Sequence, residues 1–387
     1  MRRDVIAQQL ESALRESIDA PRLRLIALEG KRPASDEKRE PWIPIKYGPP
    51  SPDDWFGVVP AVARFERRPD LPTESLPLVV KVNPREGLAR TLIPWIIKQR
   101  HIALDKPYWA YRCAAESDHT GRREQEIYSL AGRTVVLQSV LPRCYGMATD
   151  AASGEHALFL ELLTDVQRLD ATGATADWSP EAIDAALRAA AGWHAAFWDI
   201  DDARAAWAGP RRTTDDMIAD ASLWHGLLDD ARTRFPNIVT ESVWRRRHRL
   251  IDTLPDWHRI KDSFPMTLAH NDFNQRNVGF EPNVIVLDWE LVERNVAQRD
   301  LVELLTFVLP VGAERHQIDS HVETHCAALA QAGIALDRKA WIEIFRSELK
   351  VEAINRIGLQ LLFAAQFRLA YLARINAAIE RLLDLYG

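Results

Sequence analysis

The stretch His270-Asn271-Asp272-Phe273-Asn274-Gln275-Arg276-Asn277 runs into a short apolar segment, Val278 to Phe280, and then the turn residues Glu281-Pro282-Asn283. Val284-Ile285-Val286-Leu287 and Asp288 follow. Two apolar runs separated by turn formers predict a hairpin. Folding back brings Asn277, at the start of the first strand, to the same end as Asp288, just past the second. Asp272 stands five residues before Asn277, a distance one tight loop returns across. A carboxylate, an amide oxygen and a second carboxylate therefore converge. A magnesium-dependent phosphoryl transfer needs such a set, because hard oxygens hold the metal on the phosphates while a carboxylate orients the attacking hydroxyl. Asp and Asn are also ordinary turn formers, and a lone His-x-Asp would deserve only that reading.

The spacing His-x-Asp-x-x-x-x-Asn from His270 to Asn277, with a strand ending in Asp288-Trp289-Glu290, resembles the catalytic and metal-binding segments of the aminoglycoside phosphotransferase and choline kinase family. These are small-molecule kinases built on the protein-kinase fold. The resemblance spans roughly residues 55 to 305. It implies Asp272 as catalytic base, Asn277 and Asp288 as magnesium ligands, and His270 as a structural residue of the loop. Arg299-Asp300-Leu301-Val302 corresponds to a family Gly-Asp-Leu-Ala segment, with Arg299 in place of the Gly. Asp300 would then brace the catalytic loop through hydrogen bonds to its backbone. The implied architecture is α+β and two-lobed, with an antiparallel-sheet lobe over 1–163 and a mainly helical lobe over 164–387. ATP and Mg2+ are the implied cofactors, and a hydroxyl of a small molecule is the acceptor.

Composition fits such a protein. The 387 residues suffice for two lobes, and 47% hydrophobic residues argue against extended disorder. Lys plus Arg number 49 against 55 Asp plus Glu, a net charge of −6, unlike a nucleic-acid binder. The cysteines Cys113, Cys144 and Cys326 have no paired spacing, as in a reduced, cytoplasmic protein. Met1-Arg2-Arg3 leads into mixed charged and apolar residues, not a signal peptide, and no apolar window is long enough for a membrane span.

Val5, Ile6, Leu10 and Leu14 predict an N-terminal amphipathic helix, and Leu23 to Leu28 a first strand. The Pro- and charge-rich segment 31–54 reads as a loop. The family fold places a Gly-rich turn between the first two strands; here Gly48 and Gly57 are the candidates, with no G-x-G-x-x-G. Leu76 to Val82 is an apolar strand carrying Lys81, which must reach solvent or find an anion. By resemblance Lys81 pairs with the α- and β-phosphates and with a helix carboxylate. Glu124 is the better partner and Glu126 the alternative; on one helix the two point in different directions. Residues 88–116 read as an inserted helix and loop. Ala157 to Leu163 reads as the strand entering the inter-lobe hinge; the resemblance implies that the backbone of Glu161 and Leu163 would bond adenine.

Ser179-Pro180-Glu181 is an N-cap followed by Pro at the first helical position. Ile183, Ala186, Leu187, Ala190, Trp193, His194 and Phe197 then form an inward stripe, with His194 read as a core histidine. Eight aspartates between 199 and 230 allow two readings: an acidic wall favouring a cationic acceptor, an amine-bearing sugar or amino alcohol, or a solvated surface with helix caps. Trp207, Trp224, Trp244 and Trp257 read either as a cation–π cage or as core. His316, His321, His325 and Cys326 invite a zinc reading, but the Glu in His321-Val322-Glu323-Thr324-His325 stands in the wrong place for a zinc protease. Two rivals to a small-molecule kinase remain in view: a non-catalytic nucleotide-binding protein, suggested by the missing Gly-rich signature, and a protein kinase, opposed by the lack of an Ala-Pro-Glu segment after Asp288.

Overall fold

A computed structural model of the chain describes residues 1–30, 55–83, 88–114, 120–164, 166–168 and 178–387. The segment 31–54, and Gly48 within it, lies outside the described residues. Two compact units emerge: residues 1–92 with 117–166, and 93–116 with 167–387. The sequence boundary near 164 differs from this division in one segment. Residues 93–116 group with the second unit, where Leu104 and Tyr111 pack. Leu104 fits against Gly226, where an added Cβ would meet its Cδ2 at 2.3 Å. The Tyr111 ring packs edge-on against buried Trp224 at 5.2 Å.

The first unit is a five-stranded antiparallel sheet: β1 (Arg24–Gly30), β2 (Gly57–Glu66), β3 (Glu74–Asn83), β4 (Cys144–Asp150) and β5 (Glu155–Glu161), in the order β1-β2-β3-β5-β4. Side chains alternate between the two faces of a strand. On β3, Leu78, Val80 and Val82 enter one core with Ile6, Leu10 and Leu14 of the helix Arg3–Ser17. Gly146 lets that helix approach β4, since a Cβ there would stand 2.3 Å from that of Ala13. Lys81 and Asn83 take the other face of β3, under the helix Thr120–Ala131. Gln125 fastens that helix by donating to the carbonyls of Ala148 and Ala157.

The second unit is helical around two small sheets. One joins β6 (Gln167–Arg168) to the hairpin β8 (Val278–Glu281) and β9 (Asn283–Val286); the other pairs β7 (Thr267–Ala269) with β10 (Glu293–Asn295). Ser179 caps the helix Pro180–Ala196 by accepting from the Ala182 amide. The helix carries the inward stripe read from the sequence, and Trp193 and His194 on it are fully buried. Two helices, Arg338–Val351 and Ile357–Ala364, are joined through a single π-helical turn, Glu352–Arg356. Such turns re-aim side chains and recur at functional sites. Among the described residues no helix is long and apolar enough to cross a membrane.

Candidate active site

The hairpin register opposes Val278 to Val286, and the Leu287 amide donates to the Asn277 carbonyl at 2.8 Å. Asn277 and Asp288 therefore stand at one end of the hairpin. The loop 270–277 closes onto the same end. Asn277 Nδ2 donates to Asp272 Oδ2 at 2.7 Å and to the Asp272 carbonyl at 2.9 Å. Asp288 adopts the left-handed conformation, φ 64° and ψ 58°, as does Asn271, φ 61°. Asn and Asp are the side chains that tolerate this region best.

Three devices hold the loop. The first is Asp300, near the start of the helix Gln298–Val308: Oδ2 accepts from the His270 amide at 2.8 Å and Oδ1 from the Asn271 amide at 2.9 Å. Asp300 Oδ2 also meets His194 Nε2 at 3.0 Å, and His194 Nδ1 meets His325 Nε2 at 3.0 Å. Burial pushes the Asp300 carboxyl up, but its His194 hydrogen bond, the His194 and His270 rings and the His270 amide together hold it below the ordinary Asp value. The second is His270 itself. Its Nδ1 accepts from the Asp272 amide at 3.2 Å, so Nε2 carries the proton and donates to the Leu287 carbonyl at 2.9 Å. The loop is thereby tied to the residue before Asp288. The third is aromatic: Phe273 and Trp289, the residues after Asp272 and Asp288, both pack edge-on against Trp193 at 5.3 and 5.2 Å. Each such pair contributes about 0.5–1.5 kcal/mol beyond its burial.

Around Asp272 stands a charged network that brings in residues distant in the chain. Asp272 Oδ1 accepts from Asn274 Nδ2 at 3.0 Å, Arg276 Nη2 at 3.4 Å and Arg356 Nη2 at 2.5 Å. Arg356 also reaches Glu303 at 3.2 Å, and Glu303 accepts from Asn274 at 3.1 Å. Arg299, which stands where the family pattern has Gly, is buried; it pairs with Glu303 and Glu352 and donates to Asn271 Oδ1. Burial raises the Asp272 carboxyl above its ordinary value, against the lowering effect of Arg276 and Arg356. Burial also opposes ionisation of Glu303, yet Arg356 and Arg299 hold it down to about 2. Burial takes Glu352 up to about 7. Arg299 and Glu303 at i, i+4 were a visible helix pair; Arg356, 84 positions from Asp272, gave no local signal.

In the first unit, Lys81 Nζ lies 2.7 Å from Glu124 Oε1 and 2.6 Å from Oε2. Asn83 Nδ2 donates to the same carboxylate at 2.9 Å. Both members of the pair are buried. Glu126 instead lies on the exposed side, 4.0 Å from Arg122. The Glu161 amide donates to the Arg143 carbonyl at 2.9 Å, and the Glu161 side chain accepts from the Arg143 amide at 2.6 Å. Leu163 follows in the non-strand residues after β5. Gly57 opens β2 with φ 68° and open space where a Cβ would stand.

The other clusters named from the sequence do not assemble. His321 pairs with Asp184, His325 with His194, and Cys326 with Arg338, so these groups face different partners. Most of the aspartates of 199–230 are engaged in caps and ion pairs. Asp216 closes a capping box with Thr213, Asp220 pairs with Arg212, Asp230 with Arg234 and Asp202 with Arg294. That is the capped, solvated surface among the two readings. Trp224 is core, Trp207 and Trp257 donate to backbone carbonyls, and Trp244 donates to Asp229; they form no cage.

An antiparallel sheet unit with a buried Lys–Glu pair and a helical unit with a braced Asp-to-Asn loop define a kinase-like α+β protein. Residues 77–333 match the model of the phosphotransferase enzyme family (APH), and the chain belongs to that family. Choline kinase LicA from Streptococcus pneumoniae is 13% identical over 97% of this chain and 99% of its own, with a TM-score of 0.44. Macrolide 2'-phosphotransferase MphH from Brachybacterium faecium is 16% identical over 96% and 97%, at 0.43. Aminoglycoside phosphotransferase APH(3'')-Id from Streptomyces rimosus, in complex with ADP and streptomycin, is 15% identical over 76% and 90%, at 0.40. No curated protein sequence matches the chain significantly. At such scores and identities the family assignment rests on the match over 77–333.

Proposed function

We propose that the protein transfers the γ-phosphate of ATP to a hydroxyl of a small molecule, with Asp272 orienting that hydroxyl and taking its proton. One observation carries this reading: the Asp272 carboxylate is fixed at both oxygens by side-chain donors, on a loop whose main chain is itself held by Asp300. A loose phosphoryl transition state asks the protein for position and charge more than for covalent chemistry. Asp272 supplies position. Its carboxyl, raised by burial, is a better proton acceptor than an ordinary Asp.

The donor set suits magnesium. Asn277 commits its amide nitrogen to Asp272, which turns its amide oxygen elsewhere, and Asp288 adds a carboxylate at the same end of the hairpin. Both are hard oxygen ligands, and a magnesium ion held by Asn277 and Asp288 would supply charge neutralisation of the phosphates. Lys81, held by Glu124, is the group assigned to the α- and β-phosphates. Because the Glu161 amide is donated to Arg143, the family assignment of adenine to the backbone of Glu161 and Leu163 falls, at Glu161, on its carbonyl. Arg276 lies against Asp272 and over the Phe307 and Tyr371 rings at 5.6 and 5.4 Å, where it can meet the transferred phosphate. The charge beside Asp272 comes from Arg276 and Arg356, while most of the aspartates of 199–230 serve caps and ion pairs. This favours acceptors with no cationic group next to the reacting hydroxyl over polycations.

The test is incubation with Mg-ATP and a panel of aminoglycosides, macrolides, choline and sugar alcohols, read by mass spectrometry as a gain of one phosphate. Asp272→Asn abolishes the product on this reading. Unchanged turnover in that variant removes Asp272 from its role. Thermal stabilisation by Mg-ATP with no product on any acceptor would favour the non-catalytic reading.

A further inference from the structure

Away from the loop 270–277, two consecutive helices, Ala221–Arg234 and Glu241–Asp252, each carry a His and an Asp on one face. His225 and Asp229 are four apart on the first, and His248 and Asp252 four apart on the second, so each pair projects from adjacent turns. The helices pack antiparallel, which sets the pairs crosswise. His225 Nε2 lies 3.2 Å from Asp252 Oδ1, and His248 Nε2 lies 3.2 Å from Asp229 Oδ1. The two imidazole rings are 4.4 Å apart between centroids. One ligand atom each from His225, His248 and Asp252 lie within 4.8 Å of one another.

These separations suit a shared ion. Tetrahedral zinc with bonds of about 2.0–2.2 Å to imidazole nitrogen and carboxylate oxygen spaces its ligand atoms about 3.3–3.5 Å apart. Both crosswise distances are already close to that. The remaining closure needs side-chain rotation, which half-exposed residues permit. Groups around the cluster orient it as outer partners orient metal ligands. Trp244 Nε1 donates to Asp229 Oδ1 at 2.7 Å, and the Trp244 ring, covered by Arg232, lies 4.3 Å from that of His248.

We propose that His225, His248 and Asp252, with Asp229 bracing His248 from outside, form a surface site for a divalent transition-metal ion, zinc by preference, clamping the two antiparallel helices. Imidazole nitrogen selects such an ion over magnesium, so this site and the oxygen set of Asn277 and Asp288 are distinguishable. The chain without an affinity tag, stripped by a chelator, is titrated with Co2+ and with Zn2+. We expect one saturable equivalent of Co2+ with the strong visible absorption of a tetrahedral centre, displaced by Zn2+, and a higher Tm with Zn2+. His225→Ala/His248→Ala removes the absorption and the Tm gain. Asp252→Asn, at an exposed position with little risk to folding, weakens binding about tenfold or more. Asp288→Asn leaves the absorption intact. Absence of saturable binding, or equal binding in His225→Ala/His248→Ala shown by circular dichroism to be folded, overturns the proposal and leaves two ordinary His–Asp ion pairs.

Discussion

Replacing Asp300 by Asn tests what holds the loop that carries Asp272. Asp300 is fully buried, and its two oxygens face three hydrogen-bond groups: the amides of His270 and Asn271, and His194 Nε2. An Asn offers one oxygen and one NH2. The better orientation turns the oxygen toward the His270 amide and His194 Nε2 and sets the NH2 group against the Asn271 N–H, leaving that donor without a partner, which costs about 1–3 kcal/mol. Two surviving bonds also change from charge-assisted to neutral, at roughly half their strength. The sum is about 3–5 kcal/mol of stability, and a shift of Asp272 by about 1 Å would cost roughly a hundredfold in turnover. Urea unfolding measures the first quantity, and amide hydrogen exchange at His270 and Asn271 reports the loop directly. If Asp300→Asn unfolds within about 1 kcal/mol of wild type and both amides keep their protection, the carboxylate is not what holds the loop.

Arg356→Lys keeps the charge but, with a shorter side chain, withdraws the nitrogen, Nη2 in Arg356, that reaches both Asp272 and Glu303; we expect turnover to fall at least about tenfold with stability lowered by about 1–3 kcal/mol, and wild-type kinetics would dismiss Arg356 as a positioning residue. Glu124→Ala removes the carboxylate that holds Lys81 in place and weakens binding of a non-hydrolysable ATP analogue measured by calorimetry; unaltered analogue affinity would count against the Lys81 assignment. Burial, then Lys261, push His258 from 6.5 down to about 4, so below pH 6.5 the unfolded chain takes a proton that the folded chain refuses. Stability from this group is complete above pH 6.5 and is lost as pH falls toward 4, about 1.4 kcal/mol per unit and about 3 kcal/mol in all. Thermal unfolding across that window is steeper for wild type than for His258→Gln; equal slopes would contradict the assignment.

What lay in the sequence was everything set by short range. Loop spacing from His270 to Asn277, the hairpin return to Asp288, the Ser179-Pro180 helix start and Lys81 within an apolar strand each depend on neighbours a few positions apart. Turn chemistry, strand alternation and helix period act over that distance. The choice of Glu124 over Glu126 was half legible, since the helix period forbids both from pointing inward but does not say which strand lies beneath. Tertiary structure alone decided that Arg356 and Glu303 surround Asp272, and that Asp202 pairs with Arg294. It alone placed residues 93–116 with the second unit. Such contacts join positions far apart in the chain, and a side chain's charge or periodicity does not name a distant partner until packing has fixed both ends.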